Sequence, residues 1–150
     1  AVPDIYSVGE TFVPGKAGVL KTGKDIVLIA TGETVYHALK AAELLLQDGV
    51  EATVLDMHTI KPFDAETVIE ASKQSGCVLT VEEHSIFGGL GAAVAEVISQ
   101  FHPVRMKILG IPDEDAIHGK PLEVFAHYGL DMQGIRSQAI SLLKEIAAPG

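Results

Sequence analysis

The run Gly76-Cys77-Val78-Leu79-Thr80-Val81 stays apolar for the length of one strand, breaks at Glu82-Glu83-His84-Ser85, and restarts through Ile86-Phe87-Gly88-Gly89-Leu90-Gly91 as a glycine-opened helix. An unbroken apolar run of this length suits a strand covered on both faces, as in a mainly parallel sheet. Asp25-Ile26-Val27-Leu28-Ile29-Ala30-Thr31-Gly32 repeats the pattern and breaks at glycine, and the stretch from Val50 to Met57 reads as another strand. Each is followed by helical spacing. Val35, Leu39, Ala42 and Leu46 recur over a helix at 33–47 with Gly49 as its stop, and Asp64 is placed to cap a helix from Ala65 to Gln74. Ala92, Ala93, Val94, Val97 and Ile98 give the helix after the glycines a wide apolar face. Strands alternating with helices predict an α/β fold, a three-layer α/β/α sandwich on a mostly parallel sheet.

The flanks read differently. Residues 1–17 form an extended lead-in, with short apolar groups such as Thr11-Phe12-Val13. Gly18-Val19-Leu20 begins an edge strand or hairpin closed by Thr22-Gly23-Lys24-Asp25, and the folded domain is expected over 18–150. The segment from Val104 to Gly110 alternates charged and apolar residues as an edge strand does. A polar loop then runs from Ile111-Pro112-Asp113 to Gly119, Pro121 suits the first turn of a short helix, and Asp131 caps a terminal helix ending near Ile146.

Composition removes several functions. At 150 residues one domain suffices to bury a core, roughly 70% of the unfolded chain's surface, without staples. The net charge of −9, with 11 scattered Lys and Arg residues, argues against nucleic acid and anionic membranes as partners. No apolar run reaches the ~20 residues that span a bilayer. The lone cysteine, Cys77, sits inside an apolar strand, which predicts an inert buried thiol and suits a reducing cytoplasm.

The glycine turn does not carry the spacing of a dinucleotide fold, and Glu82 and Glu83 before it would repel a pyrophosphate. A tight turn with close helix packing at Gly88, Gly89 and Gly91 is the better reading. No Walker sequence, His-Glu-x-x-His, Cys-x-x-Cys or nucleophile elbow is present, so no metal site is assigned. Of the six histidines, His37, His102 and His127 read as surface or capping residues. His58 and His84 follow strand ends that point to one edge of the sheet, where ligands and partners are met, and His118 sits in a loop at the same edge.

These stretches taken in order, with Asp56-Met57-His58-Thr59-Ile60-Lys61-Pro62-Phe63-Asp64 between the first and last, resemble the C-terminal domain of transketolases. His127-Tyr128-Gly129-Leu130-Asp131 before the last helix fits the same pattern, so the likeness runs from about Gly15 to near the end. The wording at Thr59-Ile60-Lys61-Pro62 and Glu83-His84-Ser85 is most similar to transketolases encoded as two shorter chains. The same domain closes 1-deoxyxylulose-5-phosphate synthases and the β subunits of 2-oxo-acid dehydrogenases. Between Ile111 and His118 the chain departs from relatives, which often carry a phenylalanine and a glycine after the aspartate.

The resemblance implies a five-stranded mixed sheet with its first strand antiparallel. It also implies an enzyme in which thiamine diphosphate and a divalent metal such as Mg are held by pyrophosphate and pyrimidine domains, or a separate subunit, while this domain binds neither. The domain is then inactive alone, braces the pyrimidine domain and buries surface in a homodimer. Glu83, His84, Ser85 and His58 are expected at the active-site rim or at a domain contact. A reading of another class stays open: a non-catalytic module whose strand-end cleft takes a small regulatory ligand.

Overall fold

A computed structural model of the chain describes residues 16–58, 63–85, 89–111 and 122–148, except the side chains of His84, Ser85 and Leu122. Expectations placed on residues 1–15, Thr59 to Pro62, Ile86 to Gly88 and Pro112 to Pro121, His118 included, lie outside the described residues.

Five strands, β1 (Gly18–Lys21), β2 (Ile26–Ala30), β3 (Ala52–Asp56), β4 (Cys77–Ser85) and β5 (Arg105–Ile111), form one sheet in the order β1–β3–β2–β4–β5. The pairs β2/β3, β2/β4 and β4/β5 are parallel, and β1 lies antiparallel on β3. The mixed sheet with its antiparallel first strand is therefore as expected. The hairpin alternative fails because β1 pairs with β3 and not with its sequence neighbour β2.

Alternation along the strands sorts the side chains into two cores. Ile26, Leu28, Ala30, Leu79 and Val81 face helices α1 (Thr34–Gln47), α4 (Leu122–His127) and α5 (Met132–Ala147). Val27, Ile29, Leu55 and Val78 face α2 (Ala65–Gln74) and α3 (Leu90–Phe101). Both faces of β2 are covered, and its five residues have no exposure, which is why its sequence is apolar throughout.

The helix ends follow local rules. Asp64 accepts from Thr67 N at 3.2 Å, Thr67 Oγ1 at 2.6 Å and Ala17 N at 2.8 Å, so one carboxylate caps α2 and fixes the chain's entry into β1. Burial alone would raise its pKa; the hydrogen bonds from Thr67 and Ala17 outweigh that and hold it below the usual value. Asp131 caps α5 through Gly134 N at 2.9 Å. Helix α1 ends in a left-handed Gly49 (φ 82°), with Val50 N donating to Leu45 O at 2.8 Å and Gly49 N to Leu46 O at 3.0 Å, the paired bonds of a Schellman motif.

Two histidine expectations hold and one is corrected. His102 is the C-cap of α3 and His127 is exposed at the end of α4. His37 is neither surface nor cap: it is 4% exposed inside α1, because the layer of α4 and α5 covers that side of the helix, which its own spacing does not reveal.

Candidate functional site

In an open parallel sheet the crevice for ligands lies at the carboxyl ends of strands whose connections run to opposite faces. Here β2 leads to α1 on one face and β4 leads to α3 on the other, which puts that point between Thr31-Gly32 and Glu82-Glu83.

Strand β4 does not stop before the acids. It runs to Ser85, which pairs with Ile111 of β5 across a register irregularity after Val81. Glu82, Glu83, His84 and Ser85 are thus strand residues and not loop residues as their polarity suggested, because β5 continues alongside and pairs again at Ser85.

Consecutive strand residues face opposite ways, and the two glutamates use this. Glu82 is 1% exposed and turns to the α3 side, where its carboxylate accepts from Leu90 N at 2.8 Å and Gly91 N at 3.3 Å. It is a helix cap supplied by a neighbouring strand, with a negative charge on the positive end of the helix dipole. Glu83 turns to the α1 side, where Oε1 accepts from Glu33 N at 3.4 Å and covers the Cα of Gly32.

The glycines fit these carboxylates. A Cβ on Gly89 would collide with the Glu82 carboxylate, and one on Gly32, whose φ is 58°, would collide with Glu83 Oε1. Gly91 serves packing, since a Cβ there would stand 2.5 Å from Ile108 Cγ2 on β5. Gly89 is the N-cap of α3 and Gly91 lies within its first turn; Gly88 is outside the described residues. The close approach expected of this turn is real, and what approaches is the chain's own Glu82.

A transverse row completes the edge. Asp56, Ala30 and Val81 are register partners across β3, β2 and β4, and two residues past each stand His58, Gly32 and Glu83. His58 Nδ1 lies 3.9 Å from Asp56 Oδ2, with both side chains largely buried. Thr34 ties the row together by placing its hydroxyl 2.9 Å from Val81 O. Of the expected residues, the fold therefore brings His58 and Glu83 to one edge, and His84 and Ser85 follow on the same strand. Glu82 was missed as a site residue. The available signal was an acid eight positions before a helix that has no polar residue at its own N-cap.

This arrangement does not fit a diphosphate. Both helix N-termini at the crevice face a carboxylate of the chain itself, and no phosphate could sit there without displacing it. Among the described residues no group of three or more His, Cys, Asp or Glu side chains could hold a metal ion, and no described helix is long and apolar enough to cross a membrane. Two surface depressions, about 350 Å³ along α5 at Arg136, Ile140 and Lys144 and about 170 Å³ between β1 and α2 at Val19, Leu55 and Glu70, are lined by neither glutamate.

Cys77 is buried, and its pKa is raised to about 11, by burial first and Asp25 second. A thiol reagent at pH near 8 is expected to leave the native protein unmodified and to react only on unfolding. Rapid labelling of the native protein would contradict the burial.

Comparison with known proteins gives a consistent answer. A family model described as the transketolase C-terminal domain matches residues 15–135. One of the subunits of the apulose-4-phosphate transketolase of Phocaeicola vulgatus is 51% identical over 146 residues, which is 97% of this chain and 46% of that protein. 1-Deoxy-D-xylulose-5-phosphate synthase 1 of Geobacter sulfurreducens is 37% identical over 137 residues, 90% of this chain and 22% of that one. A solved split-gene transketolase, an inactive β4 tetramer, superposes with a TM-score of 0.88 at 38% identity, covering 95% of this chain and 47% of that one. The chain thus spans about half the length of the split-transketolase relatives it matches. With the sheet order, the motif spacing and the family model in agreement, the chain belongs to the transketolase C-terminal domain family.

Proposed function

We propose that this domain is the C-terminal part of a thiamine-diphosphate-dependent transketolase of the two-chain kind, an enzyme that moves a two-carbon ketol unit between sugar phosphates. The observation that carries the reading is the 51% identity to a transketolase subunit along 97% of the chain. The cofactor supplies the carbanion chemistry when bound. This chain's residues support the enzyme without touching the cofactor, a division favoured by the two carboxylates at the strand ends. Thiamine diphosphate and its metal are then held by the pyrophosphate and pyrimidine domains, in this polypeptide or in its partner subunit. The folded unit is taken as 18–150 behind a lead-in of 1–17, in keeping with the anchoring of Ala17 N by Asp64. We place the enzyme in the cytoplasm as a homodimer of its catalytic unit.

Within that enzyme, Glu83, His84, Ser85 and His58 form a contact with a neighbouring domain or subunit. Supporting this, Glu83 and His58 each stand two residues past a register partner of Ala30, at the carboxyl edge where α/β domains meet what they bind. The test combines the full-length protein, the partner subunit, thiamine diphosphate and Mg. Two-carbon transfer from a ketose phosphate is expected only when both subunits are present, and each subunit alone is expected to be inactive. Glu83→Ala and His58→Ala should weaken assembly by about tenfold, within the range of interface residues, and leave each subunit folded. Formation of 1-deoxyxylulose 5-phosphate without ketol transfer would favour the synthase reading, which the 37% identity also supports. Activity of the lone domain would overturn both.

A further inference from the structure

His37 is a titratable ring built into the layer of α1, α4 and α5. It is 4% exposed, and its Nδ1 has no hydrogen-bond partner among the described residues. Its ring packs on Phe125 of α4 at 5.2 Å between centroids, and Tyr36 meets it edge-on at 5.6 Å. Phe125 is 1% exposed, whereas Glu123, Ala126 and His127 of the same helix are exposed and Val124 is half-buried. Among the described side chains of this six-residue helix Phe125 is the buried one, with half-buried Val124 beside it, and the ring it leans on is an imidazole. We propose that His37 is an acid-sensitive latch for α4: neutral, it seats Phe125, and protonated, it releases α4 and the turn through Gly129 from the rest of the domain.

A proton on Nδ1 would create a buried cation whose new N–H has no acceptor in place among the described residues. The charged groups around it divide by element. From α1 come Glu33, one turn before, and Lys40, one turn after, whose Nζ stands over the Tyr36 ring at 5.7 Å. The start of α5 presents Asp131, whose Oδ1 is engaged by Gly134 N, and α4 presents Glu123 and His127, both turned to solvent. Asp131 and Glu33 favour the charged ring, but burial is the larger influence and lowers its pKa from 6.5. The released state, in which the ring is hydrated, binds the proton more readily. Docking is thus fully stabilised above pH 6.5 or so and loses that stability as pH falls from there toward the lowered native value.

Hydrogen exchange of the full-length protein, corrected for the intrinsic pH dependence of exchange, reads the latch. Peptides covering 122–130 should lose up to about tenfold protection for each pH unit below about 6.5, until the native pKa is passed, while β2 and β4 keep theirs. The dependence should vanish in His37→Phe and in His37→Leu. Loss of protection only in step with β2 and β4, no loss at all, or a slope that survives both substitutions would overturn the latch. A ring titration of His37 by NMR needs no variant: a pKa at or above 6.5 would overturn it even if neither substitution folds.

Discussion

Glu82→Ala is expected to destabilise the protein by about 2–4 kcal/mol, the sum of a lost cap and of charge-assisted hydrogen bonds left unmade in a buried place. Leu90 N and Gly91 N lose the carboxylate at 2.8 and 3.3 Å in a place where the glutamate itself is only 1% exposed. For a domain of this size the thermal midpoint should fall on the order of 10 °C. Glu82→Gln keeps the shape but offers one acceptor and turns an NH₂ toward the second N–H, so roughly half the loss should remain. Glu83→Ala, which removes the 3.4 Å contact to Glu33 N from a half-buried position, should cost clearly less than Glu82→Ala. Equal costs for the two alanine substitutions, measured by urea unfolding, would mean that the cap on α3 is not what the buried acid contributes.

Gly23→Ala should cost about 3 kcal/mol, at the upper end of what overpacking produces. A Cβ at this position would stand 2.5 Å from Glu51 C, 2.6 Å from Ala52 N and 2.7 Å from Ala52 C. These are backbone atoms at the start of β3 and cannot rotate away as a side chain would. The turn is further clamped by the Thr53 hydroxyl, which donates to Gly23 O at 2.8 Å and accepts from Gly23 N at 2.9 Å. Both bonds are lost if the turn lifts. Gly76 is the control: nothing lies within 4 Å of its added Cβ, so Gly76→Ala should be close to neutral or slightly stabilising through the unfolded chain. Similar unfolding midpoints for the two substitutions would refute the close approach at Gly23.

Much of the architecture is legible along the chain because it rests on nearest-neighbour chemistry. Helix α2 begins and ends where Asp64 and the apolar spacing put it, Gly49 stops α1, and the unbroken apolar run of β2 reports burial on both faces. The edge position of β5 is legible too, since its exposed Arg105 and Lys107 alternate with half-buried Met106 and Ile108. The site is less so. His58 and Glu83 are found through the rule that strand ends converge, but the rule does not say which acid turns inward.

What the sequence by itself determined is thus the class of fold, the order of elements and the family, all carried by local periodicity, caps and glycine punctuation. What only the tertiary structure decided is the fate of individual polar groups. Glu82 became a buried cap because β5 prolonged β4 past the acids and brought it under α3, and His37 became buried because α4 closed over it. Both outcomes depend on partners from other elements, and whether a polar side chain is solvated or enclosed is set by what packs over it, information that its own neighbours in sequence do not contain.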